Sequence, residues 1–168
     1  MFSAAVAGRS FASDLKSLNK VRAAEVSAAC FIAGTPVMAE DENGEAAAKP
    51  IEEIRVGDKV HSTDPATGKS GFKEVVQLYV KESAVLIHIT VAGEEITTTP
   101  DHPFRVGSIW ISAKDLRADG SKAAIERIQT ETLAEPVTVY NFEVADFHTY
   151  YVGNSQRCWC IMIAVPAV

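Results

Sequence analysis

From Cys30 onward, turn signals fall so closely that the segments between them have room for strands and little else. Asn43-Gly44 lies inside Asp41-Glu42-Asn43-Gly44-Glu45 and is the strongest hairpin signal in the chain. Gly57-Asp58 and Asp64-Pro65-Ala66-Thr67-Gly68 turn the chain again, and Gly93-Glu94 and Gly107-Ser108 each join two β-rich runs. Residues 72–80, 85–91, 96–99, 104–106, 110–112 and 137–144 carry the apolar, β-branched or alternating residues of strands, and 149–152 reads as a last one. Pro50-Ile51-Glu52-Glu53-Ile54 reads as a single helical turn, with proline early where it is tolerated. The stretch 113–132 is the least strand-like part. Many short strands with closely spaced turns mean an all-β fold.

The first 29 residues differ from the rest. Alanine and serine dominate, and Phe11, Leu15 and Leu18 recur at helical spacing, which predicts a helical or disordered arm. The start lacks the leading positive region and long apolar core of a secretory signal, so none is expected. With 168 residues the chain suits one compact domain plus an appendage. A net charge of −6 argues against a nucleic-acid partner, and no apolar run is long enough to span a membrane, so neither partner is expected. A monomer is expected. The three cysteines, Cys30, Cys158 and Cys160, are an odd set without zinc-site spacing. They are buried thiols or chemistry, and no metal or cofactor is expected.

Four segments carry residues capable of chemistry. Cys30-Phe31-Ile32-Ala33-Gly34-Thr35-Pro36-Val37 opens the β-rich region. Pro50-Ile51-Glu52-Glu53-Ile54-Arg55-Val56-Gly57-Asp58 follows it, and then comes Thr97-Thr98-Thr99-Pro100-Asp101-His102-Pro103-Phe104. The last runs from Val139-Tyr140-Asn141-Phe142 to Phe147-His148-Thr149-Tyr150-Tyr151-Val152-Gly153. Taken singly each has an ordinary reading. A lone cysteine at a domain edge is usually a small buried residue, His102 in a Pro-Asp-His-Pro turn a surface histidine, and Asp146 with His148 a solvated pair. His61 and His88 sit in strand patterns and receive no role.

In combination and in this order, residues 30–153 resemble the Hint superfamily of inteins, hedgehog autoprocessing domains and bacterial intein-like domains. Within it they are most similar to the Hint modules that precede toxin domains in bacterial polymorphic toxins. The resemblance implies a compact β horseshoe of short strands. It also implies that Cys30 is the nucleophile, acting on the carbonyl of Ala29 to exchange an amide for a thioester. Thr99 and His102 match the Thr-x-x-His pair. His102 would then protonate the departing amine, with Thr99 orienting its ring. His148, with Asp146 two residues before it, falls where relatives place a histidine near the end of the domain. Many inteins carry an acidic residue where this chain has Asn141.

The expected divisions are an upstream stub over 1–29, the Hint domain over 30–156 and an aberrant tail over 157–168. The substrate is the chain's own upstream polypeptide, and a downstream toxin domain is implied in the intact gene. Such an activity is single-turnover autoproteolysis rather than multiple-turnover catalysis. Two other readings stand beside it: an inert structural remnant of a toxin, and a hydrolase using Cys30 and His102 on another molecule. Export as part of a larger toxin would follow from the resemblance; the sequence itself names no compartment.

The C-terminal end departs from the family. Such domains end in His-Asn, whose asparagine cyclises to break the downstream bond. Counted from Tyr150-Tyr151-Val152-Gly153, those places hold Cys160 and Ile161, so C-terminal cleavage and splicing are expected to be lost. The run Arg157-Cys158-Trp159-Cys160-Ile161-Met162-Ile163 has permitted codons that, read two bases later, give Val-Leu-Val-His-Asn-Asp. A frameshift near Gln156–Arg157, genuine or from sequencing, is therefore expected.

Overall fold

A computed structural model of the chain describes residues 29–118 and 125–154. The expectations for the upstream arm over 1–28 and for the tail beyond 154 lie outside the described residues. What is described is β-structure: β1 (Phe31–Ile32), β2 (Pro36–Glu40), β3 (Ala46–Pro50), β4 (Lys59–Thr63), β5 (Ser70–Val91), β6 (Glu94–Thr98), β7 (Pro103–Val106), β8 (Ile109–Ser112) and β9 (Ile125–Val144). Two single 3₁₀ turns, Ile51–Glu53 and Ala113–Asp115, are the helical elements among the described residues.

The turns fall where their residues demand them. Asp41 closes the β2–β3 hairpin: its side chain accepts the Asn43 and Glu45 N–H groups, and its backbone N–H bonds the Glu45 carbonyl. Between β5 and β6 the two-residue turn Ala92-Gly93 has φ of 51° and 77°, the mirror-image geometry that suits strand twist. The Pro50–Ile54 helical turn is present as the first 3₁₀ turn.

Two features differ from the sequence reading. The runs 72–80 and 85–91 are one strand, β5, of 22 residues. The break between them is a register shift between Ser83 and Val85 rather than a turn. A bulge bends a strand without ending its ladder. Likewise 137–144 is only the end of β9, a strand of 20 residues that includes much of the stretch read as least strand-like. β9 pairs with β5 from Val91↔Ile125 to Val75↔Val144, and this partner, not local propensity, decides that Ile125–Thr132 is extended. Residues 149–152 are the opposite case. They form a single bridge, Val37↔Val152, flanked by bonds from Met38 N–H to the Tyr151 carbonyl and from Gly153 N–H to the Pro36 carbonyl.

Seven strands join in the order β3-β2-β4-β5-β6-β1-β9, with β9 returning to β5, while β7 and β8 form a separate hairpin. The pairings β5–β6, β6–β1, β1–β9 and β9–β5 therefore close a circuit. Short β1 is the clasp, with Phe31 opposite both Thr98 and Tyr140. The main core includes Phe31, Val37, Ile54, Val60, Phe142 and Tyr150, and a smaller cluster joins Cys30 to Leu86 and Val139. At roughly 25 cal/mol per Å² of apolar surface, each such side chain contributes about 1.5–3 kcal/mol when fully buried.

Candidate functional site

The clasp fixes the Ala29–Cys30 peptide from several sides. Cys30 donates its N–H to Thr99 Oγ1 at 2.9 Å. Its carbonyl accepts the Thr99 N–H, also at 2.9 Å, and the Thr98 hydroxyl at 2.9 Å. The carbonyl of Ala29 accepts a bond of 2.6 Å from Asn141 Nδ2. Thr98 ends β6 and Thr99 follows it, while Asn141 lies on β9, so the two strands flanking β1 hold opposite sides of the one peptide.

Asn141 is held in turn. Its Oδ1 accepts the Phe142 N–H at 2.7 Å and the Tyr150 hydroxyl at 2.8 Å. A backbone N–H can only donate, so the amide oxygen must face it and the amide nitrogen must face Ala29. The Tyr150 ring stacks on Phe142 with centroids 3.9 Å apart. Its chain segment is anchored by Thr149, whose hydroxyl donates to the Thr63 carbonyl at 2.7 Å and pairs with Ser62.

His102 is sealed from solvent and packs on Phe31, ring centroids 4.2 Å apart, and on Phe104. Its Nδ1 bonds the Pro103 carbonyl at 3.3 Å. A carbonyl only accepts, so Nδ1 carries the proton and Nε2 presents its lone pair. Nε2 is buried and has no hydrogen-bond partner among the described residues. Burial drives the imidazole down to about 3, with the Pro103 bond opposing weakly. Cys30 has no exposed surface, and burial pushes its thiol up to about 11 against the charge of Lys81. Burial, and next the Cys30 sulfur, hold the Tyr150 phenol well above its ordinary value. At neutral pH the site thus holds a thiol, a neutral imidazole and a neutral phenol.

Of the residues expected from sequence, Thr99 bonds the Cys30 N–H, and His102 packs on Phe31, the residue that follows Cys30. Thr99 is placed differently from expectation: its hydroxyl takes the Cys30 amide, while the His102 ring is set by Pro103 and Phe31. His148 and Asp146 do not pair. Asp146 bonds Lys73 at 2.9 Å, and His148 turns its buried Nδ1 toward Glu143 Oε1 at 3.6 Å. Glu143 is two residues from Asn141 on β9, so His148 stands one step along the strand from the peptide. Asp146 and His148 both have positive φ, 62° and 54°, in the turn that places them. Sequence reading gave no part to Tyr150 or Thr98 and only a doubtful one to Asn141. A polar Asn inside an alternating strand was the available signal. Tyr150 had none, since only the fold brings it back to β9.

Among the described residues no group of histidine, cysteine or carboxylate side chains is arranged to hold a metal, and no helix is long and apolar enough to cross a membrane.

Comparison with known proteins agrees with this fold. Residues 27–163 match the pretoxin Hint domain family. A bacterial intein-like domain from Clostridium thermocellum is 37% identical, with 80% of this chain covering 97% of that one at a TM-score of 0.68. A DnaB intein from Synechocystis sp. PCC 6803 shares the fold at 14% identity and TM-score 0.60, over 81% of this chain and 98% of the intein. An intein from a hyperthermophile does so at 16% and 0.62, over 80% and 99%. No curated protein matches the chain. The all-β circuit is thus a Hint-type fold, and the chain belongs to the pretoxin Hint domain family, whose function is of the self-processing, intein-like kind.

Proposed function

We propose that the domain cleaves its own backbone at Ala29–Cys30 through an N-to-S acyl shift. The observation that carries this reading is the peptide itself, with Thr99 on its nitrogen, Asn141 on its carbonyl oxygen and the thiol of the same residue beside them. Attack by a thiol on the preceding carbonyl needs no second molecule, so orientation replaces collision.

In this reading the proton passes through His102. His102 Nε2 is a base with its lone pair free, and the Cys30 thiol is an acid. Neither thiolate nor imidazolium is stable alone at these values, so the proton moves to Nε2 as the Sγ–C bond forms. The Ala29–Cys30 C–N bond then breaks, and the proton passes from His102 to the leaving nitrogen, which Thr99 holds in place. A thioester replaces the amide with no atom gained or lost. An external thiol exchanges with the thioester and releases the upstream segment. His148, near Glu143, assists from the second row.

The downstream bond stays intact in this reading. Residues 154–168 contain no His-Asn pair, and the Asn154 side chain is held by Glu94 Oε1 at 3.0 Å instead of turning on its own backbone. Splicing, which needs both ends, is absent.

Incubation with dithiothreitol is expected to release a fragment ending at Ala29, read by mass spectrometry, with no second fragment from the C-terminal side. Cys30→Ala should abolish release, and His102→Ala should slow it about 10²–10⁴-fold in a folded protein. Release from Cys30→Ala at the parent's rate would sink the assignment. A folded parent that stays whole would instead make the domain an inert remnant, and cleavage of an added peptide with the chain intact would make it a hydrolase.

A further inference from the structure

We infer that Asn141, with Tyr150 behind it, is the oxyanion donor of the acyl shift, and that its neutral amide is what lets the Ala29 carbonyl accept electrons. The inference rests on the cleavage proposed above and assigns a group to the one charge that reading leaves unbalanced. When the Cys30 sulfur adds to the Ala29 carbon, the carbonyl π pair moves onto oxygen. That oxygen becomes an anion until the C–N bond breaks and the double bond re-forms.

Asn141 Nδ2 already lies 2.6 Å from this oxygen, so no donor has to be recruited as charge develops. A preorganised donor in a water-poor site acts mainly on the transition state, because its bond strengthens as the acceptor gains charge. Asn141 is itself nearly sealed, at 3% exposure. Its orientation is set at Oδ1 by the Phe142 N–H and the Tyr150 hydroxyl. The Tyr150 bond also pulls electron density toward Oδ1, which makes the Nδ2 hydrogens better donors. Tyr150 keeps its proton, since burial and the Cys30 sulfur hold the phenol neutral, and its ring is clamped on Phe142. Donation therefore runs one way, from Tyr150 to Asn141 to Ala29.

A carboxylate at position 141 would reverse the last link, since it can only accept. Asn141→Asp keeps the side-chain shape and removes the donor, and is expected to slow thiol-induced cleavage about 10²–10³-fold at neutral pH. The ratio of its rate to the parent's should rise as pH falls, because the carboxyl introduced by that substitution donates again once it is protonated; a merely structural role would not produce that recovery. Tyr150→Phe keeps the stacked ring and should slow cleavage by about tenfold. Ala29-Cys30 is the one Ala-Cys pair in the sequence, so labelling alanine carbonyl carbon and cysteine nitrogen isolates this peptide's carbonyl resonance by NMR. In Asn141→Ala the resonance should move upfield, as a carbonyl does on losing a hydrogen bond. Cleavage by Asn141→Asp at the parent's rate across pH, or an unmoved carbonyl resonance, would overturn the role of Asn141 alone. A parent that never cleaves, with the resonance moving as expected, would bring down the acyl shift itself.

Discussion

His102 is buried neutral, with its one N–H bonded to Pro103 and its ring against Phe31. An unfolded histidine takes a proton near its ordinary 6.5, whereas folded His102 does so only near 3. The unfolded state therefore binds more protons between those values, and stability present above pH 6.5 falls as pH drops toward 3. Half-buried His61 is lowered by desolvation and adds in the same direction. Cys30 sets a limit on the alkaline side. Its thiol is raised from 9.0 to about 11, so stability present below pH 9 is lost as pH rises toward 11. His102 contributes a few kcal/mol on the acid side and Cys30 about 2–3 kcal/mol on the alkaline side. Urea unfolding across pH should give a plateau between these limits. The Tyr150 phenol, held well above its ordinary 10, adds a further loss above pH 10, so Cys30→Ala should move the start of the alkaline limb from near 9 to near 10 and leave the acid limb unchanged. An unchanged alkaline limb in that variant would place the ionisation elsewhere.

At the scale of elements, the turn between β5 and β6 carries a local misfit. Ala92 and Gly93 both take positive φ, and glycine does so at no steric cost, whereas alanine does not. Asparagine tolerates that conformation, and Asn-Gly is the preferred pair for such a two-residue turn. Ala92→Asn is expected to stabilise the domain by about 0.5–1 kcal/mol, read as a rise in the urea midpoint without a change in slope. A lower midpoint would mean the turn is not of this kind in solution. Thiol-induced cleavage should not change, because the turn lies at the far end of β6 from Thr98 and Thr99. Elements also differ in how far they were legible. The hairpin at Asn43-Gly44 follows from two residues, but β9 needs β5 beside it. Residues 125–132 have no strong pattern of their own, and a ladder along a 22-residue partner supplies it.

For the whole molecule, the closed circuit matters most. β1 is two residues long and would not persist alone, yet it is paired on both sides, by β6 and by β9. The same closure sets Cys30 between Thr99 and Asn141, so fold and site depend on one short clasp. The family match runs to residue 163, past the odd Cys-Trp-Cys run of the tail. The DNA over codons 157–163 is expected to encode Val-Leu-Val-His-Asn-Asp in the frame two bases later. A reading without His-Asn in that frame would end the frameshift explanation. Restoring the frame should recover cleavage after that asparagine.

Sequence alone determined what local chemistry can determine. Turn residues placed the hairpins, alternation and β-branching made the fold all-β, and the resemblance to Hint domains singled out Cys30, Thr99 and His102 as the candidate centre. The tertiary structure decided the rest. It turned Thr99 to the Cys30 amide, sent Asp146 to Lys73 and His148 to Glu143, and set Asn141 against the Ala29 carbonyl with Tyr150 behind it. Each of these is a contact between residues that the chain separates and the β5–β6–β1–β9 closure brings together. The neutrality of Cys30 and His102 has the same origin, since a side chain's pKa answers to how deeply the finished fold buries it.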